Sequence, residues 1–320
     1  MKSVALKNPV LAVYQYQLQF KVKGPVQLPV FSGSAWRGAF GHALKKTVCV
    51  VRDIPCNACM LKTSCAYSYI FETPPPEKAE KMRKYNASPH PFVLQFPIQQ
   101  DDESDNYQLN MMVFGHGQRF FPYITHAMRK AGQDGLGSRR QIFELESIKQ
   151  ITMGGKEHIV YQHGKLHTHI SDCSLTIPSI PKTININIHT PIRIKQQGHN
   201  LNTETFNFAA LFGNLLRRLS MLTYFHSDEP LETDFAGLTQ RARQINFTHK
   251  NLQWYDWKRY SSRQKTEMNM GGVIGTLQLD SDGMEDFWPY LWLGQWTHAG
   301  KATSMGLGHF TIDMTSLPEM

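Results

Sequence analysis

His42 and Lys46 stand four residues apart, with Lys45 beside the second and Gly38 four residues before the first. On a helix that spacing sets Gly38, His42 and Lys46 on one face. An imidazole of ordinary pKa, about 6.5, can accept or donate a proton at neutral pH. An ammonium one turn away can neutralise charge on phosphoryl oxygens. Such a pair meets the needs of a ribose phosphodiester, whose 2′-hydroxyl is a built-in nucleophile. That reaction needs in-line orientation, a proton acceptor and one or two cations, and no metal. Gly38 would leave room for a nucleotide backbone. Taken alone, the pattern reads first as a solvated helix face whose histidine does nothing.

A second group lies near the C-terminus: Gly300-Lys301-Ala302-Thr303-Ser304-Met305-Gly306-Leu307-Gly308, followed by alternating residues that read as a last strand. Glycine permits positive φ and close backbone approach. Amides uncovered by side chains, beside Lys301 and two hydroxyls, suit a phosphodiester backbone. Gly300, Lys301, Gly306 and Gly308 are therefore expected to touch phosphate, although a plain turn before a strand explains the same residues. Gly271-Gly272-Val273-Ile274-Gly275 and Gly135-Leu136-Gly137, the latter before Arg139-Arg140, repeat the theme. Arg259-Tyr260-Ser261-Ser262-Arg263-Gln264 follows Trp254, Tyr255 and Trp257. Aromatic residues beside Arg259 and Arg263 can stack bases and bind phosphates; ordinary core aromatics with solvated arginines fit equally well. Arg37, Lys45 and Arg217 are the helical cations expected to face the same partner.

The four cysteines Cys49-x6-Cys56-x2-Cys59-x5-Cys65 fall within seventeen residues. Four thiols with one C-x2-C pair suit tetrahedral coordination, which favours a structural zinc. An iron–sulfur cluster also takes four cysteines, and four reduced thiols in a loop are the plain alternative. Cys173 is isolated and reads as a small buried apolar residue. His116 and His126 read as structural.

The elements that must position these residues come from periodicity. The chain has 320 residues, 41% hydrophobic, with a formal charge of +8, so a polyanion is a better partner than an acidic protein or an anionic metabolite. No apolar run approaches the roughly 20 residues of a membrane span. The N-terminus lacks the long apolar core of a signal peptide. The expected address is cytoplasmic, where cysteines stay reduced or metal-bound.

Residues 10–22 alternate towards their end and predict a strand. Residues 34–48 change to helical spacing, with Trp36, Ala39, Phe40, Ala43, Leu44 and Val48 on the apolar side and Ser34 as N-cap. Residues 74–84, three prolines and then a charged run, read as a solvated excursion. Strands are expected at 92–96 and 109–114, a short helix at 124–130, and a strand at 141–145. In the second half, residues 183–189 alternate strictly. Phe208, Leu211, Phe212, Leu215, Leu216, Leu219 and Leu222 then trace the apolar stripe of a long helix. Each half runs strand, helix, strands, with a Gly-x-Gly element near its end. Two α+β modules with antiparallel sheets account for this. They join near residues 174–182 and give domains 1–177 and 178–320, each with a four-stranded sheet.

Trp36-Arg37-Gly38-Ala39-Phe40-Gly41-His42-Ala43-Leu44, the cysteine block ending Cys65-Ala66-Tyr67, and Gly135-Leu136-Gly137 come in a telling order. Thr190-Pro191-Ile192-Arg193, the Arg217-Arg218 helix, Arg259 to Gln264, Gly271-Gly272 and the Gly300 to Gly308 loop follow. In that order they resemble the CRISPR-associated endoribonuclease that processes precursor CRISPR RNA, a member of the repeat-associated mysterious protein (RAMP) superfamily. The resemblance implies two tandem ferredoxin-like domains with helices on one sheet face, the cysteine block being an insertion. It also implies a catalytic histidine on the first helix, which points to His42 with Lys46 beside it. The products it implies are a 5′-hydroxyl and a 2′,3′-cyclic phosphate, with no catalytic cofactor. Some relatives add a tyrosine upstream of this helix; the upstream aromatics here are Phe31, Tyr16 and Tyr14, and none matches it. The implied partners are CRISPR repeat RNA and other effector subunits, not a membrane or a small molecule. The alternative function is a non-catalytic RNA-binding subunit of an effector complex, which would not need the pair His42 and Lys46. A metal-dependent nuclease or a zinc-bound regulator fits less well, because two-metal chemistry needs a carboxylate cluster.

Overall fold

The computed structural model describes residues 8–29, 31–73, 88–96, 105–152, 154–168, 176–261 and 266–314. The expected excursion at 74–84 lies outside them, as do Cys173 and Arg263. The chain divides into two compact bodies. One is Leu11–Leu175 with Met221–Glu229; the other is Thr176–Ser220 and Pro230–Met320, with the residues up to Val10.

The first body runs β1 (Val13–Val22), α1 (Gly33–Val48), β2 (Phe92–Gln95), β3 (Asn106–Phe114), α2 (Phe121–Gln133), β4 (Phe143–Ile151), β5 (Glu157–Gln162) and β6 (Lys165–Leu166). Its strands pair antiparallel in the order β2-β3-β1-β4-β5-β6. A βαββαβ unit with its first strand inside the sheet is ferredoxin-like. The hairpin β5–β6 extends the β4 edge, so this sheet has six strands where four were expected. In β1, Tyr16, Leu18, Phe20 and Val22 are buried while Gln15, Gln17 and Gln19 take the opposite face. The register sets Leu18 opposite Leu109 and Phe20 opposite Tyr107, and α1 lays Trp36, Phe40, Ala43 and Leu44 into the same core.

Helix α1 begins at Gly33, not after an N-cap at Ser34. Ser32 holds the cap position, but its hydroxyl bonds Tyr107 Oη at 2.9 Å, and Trp36 Nε1 donates to that same oxygen at 3.0 Å. A cross-strand tyrosine thus anchors the helix start. Helix α2 is longer than its apolar periodicity suggested, because Pro122 suits the first turn of a helix. The strand expected at 141–145 starts at Phe143, since Gln141 instead closes the Gly135-Leu136-Gly137 turn by bridging to Leu136.

The second body contains β7 (Thr183–Ile192), the small hairpin β8 (Lys195–Gln196) and β9 (His199–Asn200), and α3 (Phe208–His226). It continues with α4 (Phe235–Ala242), β10 (His249–Tyr255), the hairpin β11 (Lys258–Ser261) and β12 (Thr266–Asn269), β13 (Gly272–Asp280), α5 (Trp288–Thr297) and β14 (Phe310–Asp313). The sheet order β10-β13-β7-β14 is that of the first four strands of the other body, again antiparallel. The whole stripe from Phe208 to Leu222 is buried, each such side chain contributing roughly 1.5–3 kcal/mol over exposure. The last turn of α3 is counted with the first body. There the fully buried His226 bonds Tyr69 Oη through Nδ1 at 2.9 Å and the Pro89 carbonyl through Nε2 at 2.8 Å. Among the described residues, no helix is long and apolar enough to cross a membrane.

Candidate functional site

The charged side of α1 is two stripes with different surroundings. Arg37, Gly41 and Lys45 form one. It lies against the segment after the cysteine block: the Arg37 guanidinium sits 5.4 Å from the Phe71 ring centre, and Lys45 Nζ sits 5.5 Å from that of Tyr67. Tyr67 and Phe71 stack on each other, and a side chain at Gly41 would press on Phe71. Arg37 is also bonded to His90 Nε2 at 2.7 Å. Of the two expected phosphate ligands here, Arg37 is therefore committed to packing, while Lys45 remains exposed above Tyr67.

Gly38, His42 and Lys46 form the other stripe, and all three are exposed. A β-carbon on Gly38 would meet nothing within 4 Å. Buried Trp36, Phe40, Ala43 and Leu44 orient the helix so that this stripe faces outward. The imidazole and the ammonium stand one turn apart beside an open strip of backbone, an arrangement that can seat a phosphodiester. Of the upstream aromatics, Tyr16 is fully buried and stacked on Phe121 at 4.2 Å, so it cannot reach a substrate on this surface. Phe31 and Tyr14 are half-buried.

The glycine loop of the second body corrects an expectation. Gly306 and Gly308 are buried, and their amides are already used: Gly306 N–H donates to Thr303 O at 2.9 Å and Gly308 N–H to Pro191 O at 3.1 Å. Gly300 N–H donates to Asn214 Oδ1 at 2.7 Å. These amides tie the loop to β7, to α3 and to itself, and do not form an open phosphate cradle. Glycine is required for another reason. Gly308 has φ +77 and Gly300 φ +85, and added β-carbons would strike the Ala299 carbonyl and the Arg193 backbone.

What the loop does expose is Lys301. Its pKa is lowered by partial burial and then by the charges of Lys195 and Arg193. Among the described residues, none of these three cations has a carboxylate partner. The Arg193 guanidinium is braced by the Asn269 carbonyl, and Lys301 N–H donates to Arg193 O at 3.2 Å. A cluster of unpaired like charges on a fixed loop attracts an anion. Arg193 and Lys195 were not among the expected cations; their alternation about Ile194, just after β7, was the available signal.

Beneath the loop three histidines lie in contact. His309 is 4.9 Å from His189 and 5.1 Å from His298, ring centre to ring centre. His298 is fully buried and takes φ 60, ψ 165. Its Nδ1–H donates to Leu307 O at 3.1 Å, and its Nε2 has no hydrogen-bond partner among the described residues. Burial, followed by the neighbouring His189, pulls the His309 pKa down to about 3. Burial, then His309, holds His298 well below the usual histidine range. Arg218 lies half-buried behind them, its Nε donating to Thr297 O at 2.6 Å, and desolvation lowers its pKa to about 10. Arg217 is exposed on the same helix. Arg259 lies on β11. His116 pairs with the exposed Asp228 at 3.1 Å, and His126 lies beside Arg129; neither joins the α1 stripe.

The four cysteines of the block are half-buried free thiols. Among the described residues, no three His, Cys, Asp or Glu side chains form a ready metal-binding group.

Two family models match the chain: the AF_1859 N-terminal domain over residues 11–172 and the CRISPR-associated endoribonuclease Cas6 over residues 186–310. An uncharacterized protein of Archaeoglobus fulgidus is 28% identical over 130 residues, 41% of this chain and 43% of that protein's length. The chain therefore spans less than half of that relative. Among solved structures, a Cas6 product complex is 14% identical, with TM-score 0.58 over 94% of this chain and 99% of the other. Thermus thermophilus Cas6 is 13% identical, with TM-score 0.55 over 95% and 99%. A partial Cas6-RT-Cas1–Cas2 complex is 14% identical, with TM-score 0.56 over 98% of this chain and 48% of that one. At these identities the structural likeness establishes the fold.

Proposed function

Since the chain belongs to the CRISPR-associated Cas6 endoribonuclease family of the RAMP superfamily, we propose that it cuts precursor CRISPR RNA within the repeats, without metal. The observation that carries this reading is the exposed stripe Gly38–His42–Lys46. In the proposed reaction the 2′-oxygen attacks the adjacent phosphorus and the bond from phosphorus to the 5′-oxygen breaks. The 2′-hydroxyl proton leaves to a base, and a proton is delivered to the departing 5′-oxygen. Atoms balance without water, and the products are a 2′,3′-cyclic phosphate and a 5′-hydroxyl. His42 serves as base in its neutral form or as acid in its protonated form. Lys46 offsets charge on the phosphorane oxygens. Lys301, Arg193 and Lys195 supply phosphate contacts in the second body, with Arg217, Arg259 and Arg263 as further cations.

The test is incubation of purified protein with end-labelled repeat RNA in excess chelator, followed by end-group analysis. Cleavage to a cyclic phosphate, abolished by a 2′-deoxy nucleotide at the scissile position, is expected. Cleavage that stops in chelator would refute the metal-free mechanism. Binding without any cleavage of a cognate repeat would leave the non-catalytic subunit as the better account.

A further inference from the structure

The seventeen residues from Cys49 to Cys65 contain no buried residue. Most of their large apolar side chains are open: Val50 is 77% exposed and Met60 86%, with Ile54 and Leu61 also open and Val51 half-buried. Backbone order costs about 1–2 kcal/mol per residue, and here no hydrophobic core offsets it. The backbone hydrogen bonds within the segment are those of local turns, among them Ala58 N–H to Pro55 O, Cys59 N–H to Cys56 O, Lys62 N–H to Cys59 O and Cys65 N–H to Leu61 O. Something other than apolar packing or strand pairing must hold this excursion together.

The turns share one outcome, which is to bring the four cysteines around a single space. Cys49, from the C-cap of α1, Cys56 and Cys59, from a short 3-10 turn, and Cys65 all line one cavity of about 20 Å3. That volume admits a single water-sized occupant. We propose that this cavity is a structural zinc site in which Cys49, Cys56, Cys59 and Cys65 are the ligands. An all-thiolate donor set selects a soft, tetrahedral ion. The thiols are reduced and do not converge to ligand geometry in this structure, so binding draws them inward about a central ion. Cys49 Sγ, which now donates to Val51 O at 3.1 Å, gives up its proton to solvent on coordination. The negative charge of a zinc tetrathiolate has cations to meet it: Lys62 lines the cavity, and Lys45 stands over Tyr67, another lining residue. A closed shell leaves no open position for chemistry. Its effect is to fix the segment leading to Tyr67 and Phe71, which covers the Arg37–Lys45 stripe of α1.

Cobalt(II) titration of the full chain, purified reduced and metal-free, tests this. The expected result is saturation at about one cobalt per chain, with thiolate charge-transfer and tetrahedral ligand-field bands that zinc abolishes. Cys56→Ser and Cys59→Ser should each lose thiolate band intensity, and Cys173→Ser should not. Should a serine variant fail to fold, alkylation of the wild type decides. Zinc must slow modification of Cys49, Cys56, Cys59 and Cys65 and leave Cys173 unchanged. Absent bands, bands indifferent to both serine changes, equal alkylation with and without zinc, or iron with labile sulfide in anaerobically purified protein would each overturn the proposal.

Discussion

The backbone of Gly308 lies directly on that of Ala299: Ala299 N–H donates to the Gly308 carbonyl at 2.9 Å, and a β-carbon on Gly308 would overlap the Ala299 carbonyl oxygen. The loop carrying Lys301 is closed by this contact. Gly308→Ala combines a positive φ with a backbone collision and should lower stability by at least about 2 kcal/mol. Thermal melting reads this directly. An unchanged midpoint would mean that the close approach is not required.

His42→Ala should leave the melting curve and RNA affinity near wild type, because the side chain is exposed and has no hydrogen-bond partner among the described residues. The cleavage rate should fall roughly 10²–10⁴-fold, the usual worth of a positioned acid or base. Lys46→Ala should lower the rate with little change in binding. A His42→Ala protein cutting at the wild-type rate would remove the catalytic assignment.

Lys301→Ala should weaken RNA binding and flatten the plot of log affinity against log salt by about one unit, since each phosphate contact releases condensed counterions. Lys195→Ala should act the same way if the two share one phosphate-binding cluster with Arg193. A slope identical to wild type would place the cluster away from the RNA.

Acid should destabilise the second body through its buried histidines. His298 and His309 have pKa values depressed in the folded state, His309 to about 3, so between that pH and about 6.5 the unfolded chain binds more protons. Stability is therefore full above the unfolded pKa and is lost as pH falls below it, by up to about 1.4 kcal/mol per pH unit for each such group. His309→Gln should flatten the melting profile over that window. Should it keep the wild-type pH slope, His309 is not held neutral by the fold.

Loss of His226 should also be costly. Both ring nitrogens are engaged, with Tyr69 and the Pro89 carbonyl, and His226→Ala removes the partner of both of these half-buried groups. A drop of about 1–3 kcal/mol for each orphaned group is expected by chemical denaturation.

Much of this architecture follows from local pattern. Alternation at 183–189 and the stripe from Phe208 to Leu222 are properties of neighbours in the chain, and each became the element its period demands. The order of strands and helices in each half was enough to indicate two α+β modules, and the resemblance to a known family implied that they are ferredoxin-like. The spacing of His42 and Lys46 likewise set them one turn apart before any tertiary contact was known. Tertiary packing decided which charges stay open. Arg37 shares a helix with His42, yet Phe71, more than thirty residues on, packs against its guanidinium and leaves His42 exposed, while Lys45 stays exposed above Tyr67. No periodicity within α1 encodes that difference. The glycine loop makes the same point, because whether an amide is free depends on the carbonyl it meets. Those of Gly306 and Gly308 meet Thr303 and Pro191, the latter on a strand more than a hundred residues earlier. The cation cluster of Arg193, Lys195 and Lys301 exists only because that strand end and the loop are brought together. Side-chain period is written in the chain, whereas burial and hydrogen-bond partnership are set by distant segments that arrive only on folding.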